Sequence, residues 1–463
     1  MRKGSVGIFA LLVMMLVASV LFALLEATRC QEIRRLCNLQ TQVALESAFA
    51  NYDSMLWDEF GLLGGNITQL ENTVVAKANS KASGYESRLN LLKFGVHDFE
   101  TQGYTLITDG RGVVYGRVVA ESMKETIFYG TAKEIFNQYE VIKQLEEKSS
   151  WSPLWITNGL SQEIEEVENM TPNPMKEAIN IQNKGILELV VEDTSTISNK
   201  DIDLGNTVSY RTLAKGKNPV ISENNWLDQV LLQQYILQNM SSFGRKIQDH
   251  SMDYEVEYLI GGKSSDIENL KSVVNQILFL REVSNFLYLT SNADKVEEAG
   301  IIALTIAGVS ANPVIIEAVK TGIIAAWALA ESVLDVRALL QGKKIALLKS
   351  DSTWTLEISH IGNVAEGYFS AKECENGLSY QEYLGILLLF LKDEELSMRA
   401  MDMQEATLRI KKEDSNFCMD ELFVQARTGI TYSASPVFLS FYQLDYMVPD
   451  IYHIRTEYDY SYY

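Results

Sequence analysis

The four cysteines are the residues of this 463-residue chain whose chemistry is easiest to predict, because their thiols can form disulfides. Cys30 and Cys37 lie seven residues apart, so on one helix they share a face but stand about 10.5 Å apart along the axis. A disulfide requires Cα atoms within about 7 Å, so these two thiols cannot bond each other while the helix is intact. They can form intermolecular bonds to a neighbouring copy, or pack as small apolar residues. Both interpretations stand.

Cys374 and Cys418 lie in the last fifth of the chain. Outside the cell the redox environment favours disulfides. A disulfide between these two residues is therefore a candidate feature of an extracellular fold.

The chain has none of the residue patterns that identify common enzymes or zinc sites. Its four histidines are isolated, and neither HExxH nor CxxC occurs, which leaves zinc peptidases and zinc ribbons without support. GxSxG and SxxK are also absent, so no serine nucleophile is indicated. We predict a protein that is not an enzyme and that has no cofactor, catalytic residue or metal site.

Two glycine-containing segments match phosphate-binding loops only in part. Residues 261–264 (Gly-Gly-Lys-Ser) end like a P-loop, but that pattern needs a glycine at position 257, where Glu257 stands. Residues 109–112 (Asp-Gly-Arg-Gly) are flanked by residues typical of strands, 104–106 before them and 113–115 after them. We therefore predict a β-hairpin turn at 109–112 and no nucleotide site.

The composition excludes one class of partner and bounds the architecture. Lysine and arginine total 40 against 61 aspartate and glutamate, a net charge of −21, which repels phosphate backbones and disfavours nucleic acid. Apolar residues make up 47% and charged residues 22%, values typical of a folded chain. The length predicts two or three folded units.

The elements that position these residues begin with an apolar run from Val6 to Leu25, which contains no charge. Twenty residues of helix span the hydrocarbon core of about 30 Å. A cleaved signal peptide has a shorter apolar region of about 7–15 residues, so we predict an uncleaved membrane anchor. Its apolar side chains are those of Val6, Ile8, Phe9, Leu11, Leu12, Leu16, Leu21, Phe22 and Leu25.

The charges beside this run predict its orientation. Arg2 and Lys3 precede the run on a very short tail, and positive charge favours the cytoplasmic side. We expect a single-pass protein of the cell membrane, with a cytoplasmic N-terminus and the rest of the chain extracellular.

A long amphipathic stalk helix is predicted to continue from the anchor. No proline occurs between Glu26 and Phe60, and the first glycine after Glu26 is Gly61. Apolar residues recur at three- and four-residue steps, which is typical of one apolar stripe on a helix; they are Ile33, Leu36 or Cys37, Val43 or Ala44, and Ala48. A separate juxtamembrane helix after a break is the alternative.

The remaining chain is predicted to form a mixed extracellular head, so the fold class is α+β and mostly helical. The predicted divisions are 1–25 (tail and membrane helix), 26–65 (stalk), 66–250 (mixed lobe with an acidic connector), 251–412 (helical lobe) and 413–463 (strand-rich segment). The apolar stretch within 300–340 predicts a buried helical hairpin rather than further membrane crossings. Ser379 and Glu382 form a capping-box pattern that opens a helix.

The order of several blocks along the chain resembles a known family. The blocks are Gly4–Arg29, Leu45–Leu63, Gly185–Ser198, Glu257–Leu270, Ala325–Lys349, Leu378–Leu391 and Arg399–Gln404. Together they resemble an uncharacterised family of Gram-positive membrane proteins related to the TadE/TadG pseudopilins of tight-adherence (Tad/Flp) pilus loci. A processed pilin with its signal glycine at Gly4 would have glutamate at position 9, where Phe9 stands.

This resemblance implies a non-enzymatic, pseudopilin-like component that assembles or anchors a Tad-type surface pilus. The implied mechanism is lateral packing of the N-terminal helix in the membrane, with itself or with other pilus proteins. The alternative is an anchored extracellular binding or sensory module for a small ligand or a cell-wall polymer, in which the helix is only a tether.

Overall fold

The computed structural model describes residues 3–82, 91–124, 139–141, 143–144, 173–221, 225–307, 312–367, 369–440 and 451–463. The chain forms two compact units that alternate along the sequence. Unit 1 comprises residues 1–122, 212–224 and 416–463, and unit 2 comprises residues 123–211 and 225–415. Helices dominate and a four-stranded sheet accompanies them, so the predicted α+β class is confirmed.

Unit 1 combines a long N-terminal helix with the sheet. Its elements are α1 (Lys3–Phe49), α2 (Ser54–Phe60), β1 (Gly65–Asn66), α3 (Ile67–Ala82), β2 (Gly95–Leu106), α4 (Val113–Met123), β3 (Leu422–Ala434) and β4 (Tyr452–Ser461). β3 is the central strand and pairs antiparallel with the other three. Gly429 lies opposite Glu100 of β2 on one side and opposite Glu457 of β4 on the other.

Unit 2 is built from helices within the described residues. Its elements are α5 (Pro174–Asn183), α6 (Ile186–Val190), α7 (Trp226–Asn239), α8 (Glu255–Gly261), α9 (Asp266–Ser291), α10 (Ala293–Ala307), α11 (Pro313–Leu340), α12 (Tyr380–Leu389) and α13 (Asp393–Lys411), with short 3₁₀ segments between them. The predicted capping box opens α12, because Ser379 and Glu382 satisfy each other's backbone amides.

The predicted helical hairpin of residues 300–340 is formed by α10 and α11, and its core is the C-terminal half of α11. Residues 322–339 of α11 are all buried. Two acids in that stretch, Glu331 and Asp335, each lie 2.7 Å from the buried Lys349 ammonium, and Arg281 donates to the Asp335 carboxylate at 2.9 Å. Buried charges are tolerated when they are paired in this way. Residues 322–339 are therefore internal to unit 2, whereas Ile301 and Leu304 of α10 and Val314 at the start of α11 are exposed, so the predicted burial of the hairpin holds only in part.

The predicted stalk helix over residues 26–65 is wrong in its second part, because α1 ends at Phe49. The chain turns before α2, and the Asp53 carboxylate accepts the Leu56 amide at 3.0 Å as the N-cap of that helix. A short acidic side chain that bonds nearby backbone amides favours a new helix start over continuation. Gly61, in the left-handed conformation, ends α2.

The predicted hairpin at 109–112 is also wrong in its second half. β2 ends at Leu106 as a strand, but the chain then turns and begins α4 at Val113. Gly110 and Gly112 have φ values of +66° and +88°, and the Asp109 carboxylate accepts the Leu106 amide at 2.8 Å across the turn. Val114, Tyr115, Val118 and Val119 after the turn are buried as one face of this helix rather than as part of a strand.

The predicted division of the head also differs from the structure. A boundary at 250/251 would cut through unit 2, and the C-terminal strands β3 and β4 belong to the same unit as α1. Sheet pairing between β2 and β3 joins residues more than 300 positions apart. The strand-rich character predicted for residues 413–463 is confirmed by β3 and β4.

Candidate functional site

The first half of α1 has no protein partner within the described residues. An 18-residue window of this helix has a mean hydropathy of 3.0 and is 0% buried. In the described part of the chain, α1 is the one helix long and apolar enough to cross a membrane. We call residues 7–25 the apolar segment. Its exposed anchor side chains are Ile8, Phe9, Leu11, Leu12, Leu16, Leu21, Phe22 and Leu25, and Val6 lies in the same helix.

The second half of α1, residues 26–49, is packed into unit 1, and we call it the packed segment. The predicted apolar stripe is real, and it faces the core of its own chain. Its buried members are Ile33, Cys37, Ala44, Leu45, Ala48 and Phe49, which share one cluster with residues of α3 and the sheet. The stripe is therefore covered by α3 and the sheet of the same unit.

Phe49 closes the far end of this packing. Its ring centroid lies 4.9 Å from that of Phe423, 4.8 Å from Tyr460 and 4.7 Å from Tyr462. The Tyr462 hydroxyl also donates to the Phe49 carbonyl at 2.6 Å. Aromatic edge-to-face pairs of this kind add specificity to apolar burial.

A buried hydroxyl cluster fixes the middle of the packed segment. Thr41 Oγ1 lies 2.5 Å from Thr456 Oγ1 and 3.2 Å from the Tyr432 hydroxyl. Burial raises the pKa of Tyr432 to about 12, so the phenol stays neutral. Gln40 donates to the Lys77 carbonyl of α3 at 2.8 Å. Polar bonds of this kind fix the register of the helix on its neighbours.

The third contact lies where the apolar segment ends, and we call it the junction. Glu26 and Arg29 are both buried, with side-chain atoms 2.6 Å apart. The other Glu26 oxygen accepts the backbone amides of Val437 at 3.2 Å and Phe438 at 2.8 Å. Arg29 donates to the Leu91 carbonyl. The junction thus holds the helix to two connections of the sheet, the one that precedes β2 at Leu91 and the one that follows β3 at Val437 and Phe438.

The junction also changes the pKa of a neighbouring tyrosine. Burial and the nearby Glu26 carboxylate raise the pKa of Tyr452, the first residue of β4. No role was predicted from the sequence for Glu26 and Arg29. Their spacing of three residues, directly after an uncharged run, is the signal that could have predicted an intrahelical pair.

The cysteines divide into buried and partly exposed thiols, and none of the four forms a disulfide. Cys37 has no exposed surface, so it packs as a small apolar residue, and an intermolecular bond would require unit 1 to open. Cys30 is half-buried beside Glu26. Cys374 lies in unit 2 and Cys418 in unit 1, and the structure does not contain the predicted disulfide between them.

A polar groove lies elsewhere on unit 1, between the strands and residues 218–220. Its cavity volume is about 210 Å³, and its lining includes Gln102, Tyr104, Asn218, Arg427 and Asp459. Small-molecule sites usually enclose about 300–1,000 Å³ and are mostly apolar. This groove is smaller and more polar than such a site.

A comparison with known families identifies one match. The family of unknown function DUF5702 matches residues 162–434, which is more than half of the chain. The chain belongs to that family. No curated protein and no solved structure matches it.

The DUF5702 match covers the described helices of unit 2 together with β3 of unit 1. The apolar segment, the junction residues of α1 and strand β2 lie outside the matched range. Membership of the DUF5702 family therefore describes mainly unit 2 and carries no information about a partner of the N-terminal helix.

Proposed function

We propose that this chain is a non-enzymatic, membrane-anchored component of a pilus-type surface assembly, held in the cell membrane by the apolar segment. Its N-terminus faces the cytoplasm and both units face outward. The apolar segment associates sideways with the corresponding helices of other copies or of pseudopilin-like proteins. The observation that carries this proposal is a helix with an uncovered apolar half and a packed half that joins it to a folded unit.

The burial of the packed segment limits the part of α1 that is available for such association. Because Ile33, Cys37 and Ala48 are buried in unit 1, their side of the helix has no surface left for a neighbour. Lateral packing therefore depends on residues 7–25. Within them, Ser19 and Ala23 stand four residues apart, a small-residue spacing that continues to Ala27. Such spacing allows close helix approach in lipid.

The resemblance to proteins related to TadE/TadG supports the pilus part of the proposal, since it includes the block Gly4–Arg29. It names the class of partner expected, namely helices of similar construction in the same membrane. Phe9 stands where a processed pilin has glutamate, so we propose an anchored accessory role rather than a filament subunit.

A segment exchange tests the proposal without disturbing unit 1. Residues 7–25 are replaced by a scrambled sequence of the same composition, while residues 26–49 are kept. Two differently tagged copies, and the pseudopilins of the same cell, are then cross-linked in membranes. We expect the scrambled protein to remain in the membrane fraction and to lose its cross-links, because the small-residue spacing is gone. Unchanged cross-linking would overturn lateral packing.

The alternative is an anchored module that binds a small ligand or wall polymer, for which the groove beside residues 218–220 is the candidate surface. This function requires binding that survives the exchange of residues 7–25. The same scrambled protein therefore decides between the two functions. If it still binds peptidoglycan, and if Arg427→Ala abolishes that binding, the result favours the binding module. If it loses its cross-links and binds no peptidoglycan, the result favours the assembly component.

A further inference from the structure

The sheet of unit 1 runs alongside the packed segment from end to end. Phe49 contacts Phe423 near the start of β3, and Glu26 binds the amides just after the end of β3. The packed segment is about 35 Å long as a helix, and thirteen strand residues reach about 40 Å. The two ends of the sheet therefore match the two ends of the packed segment.

The junction end of the sheet carries the loops that precede β2 and follow β3. Gly95 of β2 pairs with Ser433, and Tyr452 of β4 pairs with Ala434. The described residues of the flanking connections, 91–94 and 435–440, thus lie at the level of Glu26. Because Leu25 is the last residue of the uncharged run, these connections stand where the helix would enter lipid.

Several apolar side chains are exposed at this end, among polar ones such as Ser435 and Ser440. Leu91 and Ile451 are 42% and 46% exposed, and Val437, Phe438 and Leu439 are partly exposed. We call these five residues the collar. Lys93, which is exposed, lies beside it. An arrangement of aliphatic and aromatic side chains near a lysine suits the headgroup region of a bilayer, where apolar parts enter and charged parts stay in water.

We infer that the collar inserts into the interface of the same phospholipid bilayer that holds the apolar segment. The inference rests on the anchoring part of the proposed function and is independent of the pilus part. The collar does not need to find its partner by diffusion, because the junction holds it at the level where the helix leaves the bilayer. Glu26 and Arg29 resist a shift of that level, because moving the helix would break the bonds from Glu26 to the Val437 and Phe438 amides and from Arg29 to the Leu91 carbonyl.

This contact has a mechanical consequence for unit 1. A helix that emerges alone leaves its soluble part free to tilt about the exit point. With the collar in the headgroup region and the packed segment fixed on the sheet, unit 1 keeps one height and one orientation relative to the membrane.

Site-specific photo-cross-linking of the full chain in phosphatidylglycerol–phosphatidylcholine vesicles tests the inference. A benzophenone amino acid replaces one aromatic residue at a time. Phe438 tests the collar, Phe9 is the positive control in the apolar segment, and Trp57, which is exposed in α2 beyond Phe49, is the matched control far from the junction. Lipid adducts are measured by mass spectrometry.

We expect lipid adducts at positions 9 and 438 and none at 57. Adducts at position 9 without any at 438 would overturn the collar and leave the anchor intact. Absence of adducts at position 9 would overturn both the anchor and the inference that rests on it. Adducts from position 438 to a second copy of the chain, in place of lipid, would also overturn the inference.

Discussion

Replacing Phe49 by alanine tests whether the second half of α1 belongs to the core of unit 1. Phe49 is 2% exposed, and its ring contacts three aromatic rings of β3, β4 and the C-terminal residues at 4.7–4.9 Å. A buried Phe→Ala change costs about 3–5 kcal/mol through lost transfer energy and the cavity left behind.

The size of unit 1 sets the expected thermal effect. For a unit of roughly this size, 1 kcal/mol corresponds to about 2–4 °C, so a loss of about 4 kcal/mol lowers the unfolding temperature of unit 1 by about 8–16 °C. Leu39→Ala on the same helix is the matched control, because Leu39 is exposed. Its effect on stability is expected to stay within about 0.5 kcal/mol.

The assay must report on unit 1 alone, since unit 2 is a separate compact unit whose unfolding would mask the effect. Hydrogen exchange of peptides from β3, measured by mass spectrometry on the full chain in detergent, meets that need. Phe49→Ala is expected to accelerate this exchange strongly, and Leu39→Ala is expected to leave it unchanged. Equal hydrogen exchange in the two variants would refute the packing of Phe49 in unit 1. The apolar stripe would then be available for contact with a neighbouring helix.

Three further predictions concern buried charges. Burial raises the pKa of Glu282 from 4.5 to about 8. Because the unfolded chain then loses this proton before the folded protein does, the parent protein loses up to about 5 kcal/mol of stability as pH rises from 4.5 to 8. Glu282→Gln should therefore raise the unfolding temperature at pH 8 and leave it unchanged at pH 4. Lys349→Met leaves Glu331 buried without its cation and Asp335 with Arg281 alone, and should cost about 3–5 kcal/mol in urea unfolding of unit 2; an unchanged midpoint would contradict the pairing. Glu26→Gln should accelerate hydrogen exchange at the two amides that its carboxylate accepts, and equal exchange would show that the junction does not hold the loop.

Local patterns in the sequence predicted the elements whose cause is local. The uncharged run that ends at Leu25 predicted the exposed half of α1, because its length matches the thickness of a bilayer. The spacing of Ile33 and Cys37 predicted an apolar face on its second half. Ser379 and Glu382 predicted the start of α12, since both halves of a capping box lie within four residues.

The errors arose where the deciding interaction is distant or competes with a local preference. Val113 and Val114 have strand propensity, yet they begin a helix because the glycine-containing turn redirects the chain and the next apolar residues fall at helical spacing. The apolar stripe packs on α3, which follows it closely in sequence, and on β3 and β4, which lie almost 400 residues away. No spacing rule identifies such distant strands as partners.

The central position of β3 in unit 1 has a consequence for biosynthesis. The apolar stripe of α1 is made first and α3 follows it closely, but β3, which joins the other strands into one sheet, is made roughly 385 residues later. At about 5–20 residues per second, the stripe waits on the order of 20–80 s for the sheet that completes its cover. A chain released before residue 422 lacks β3 and β4 and leaves part of this apolar face exposed.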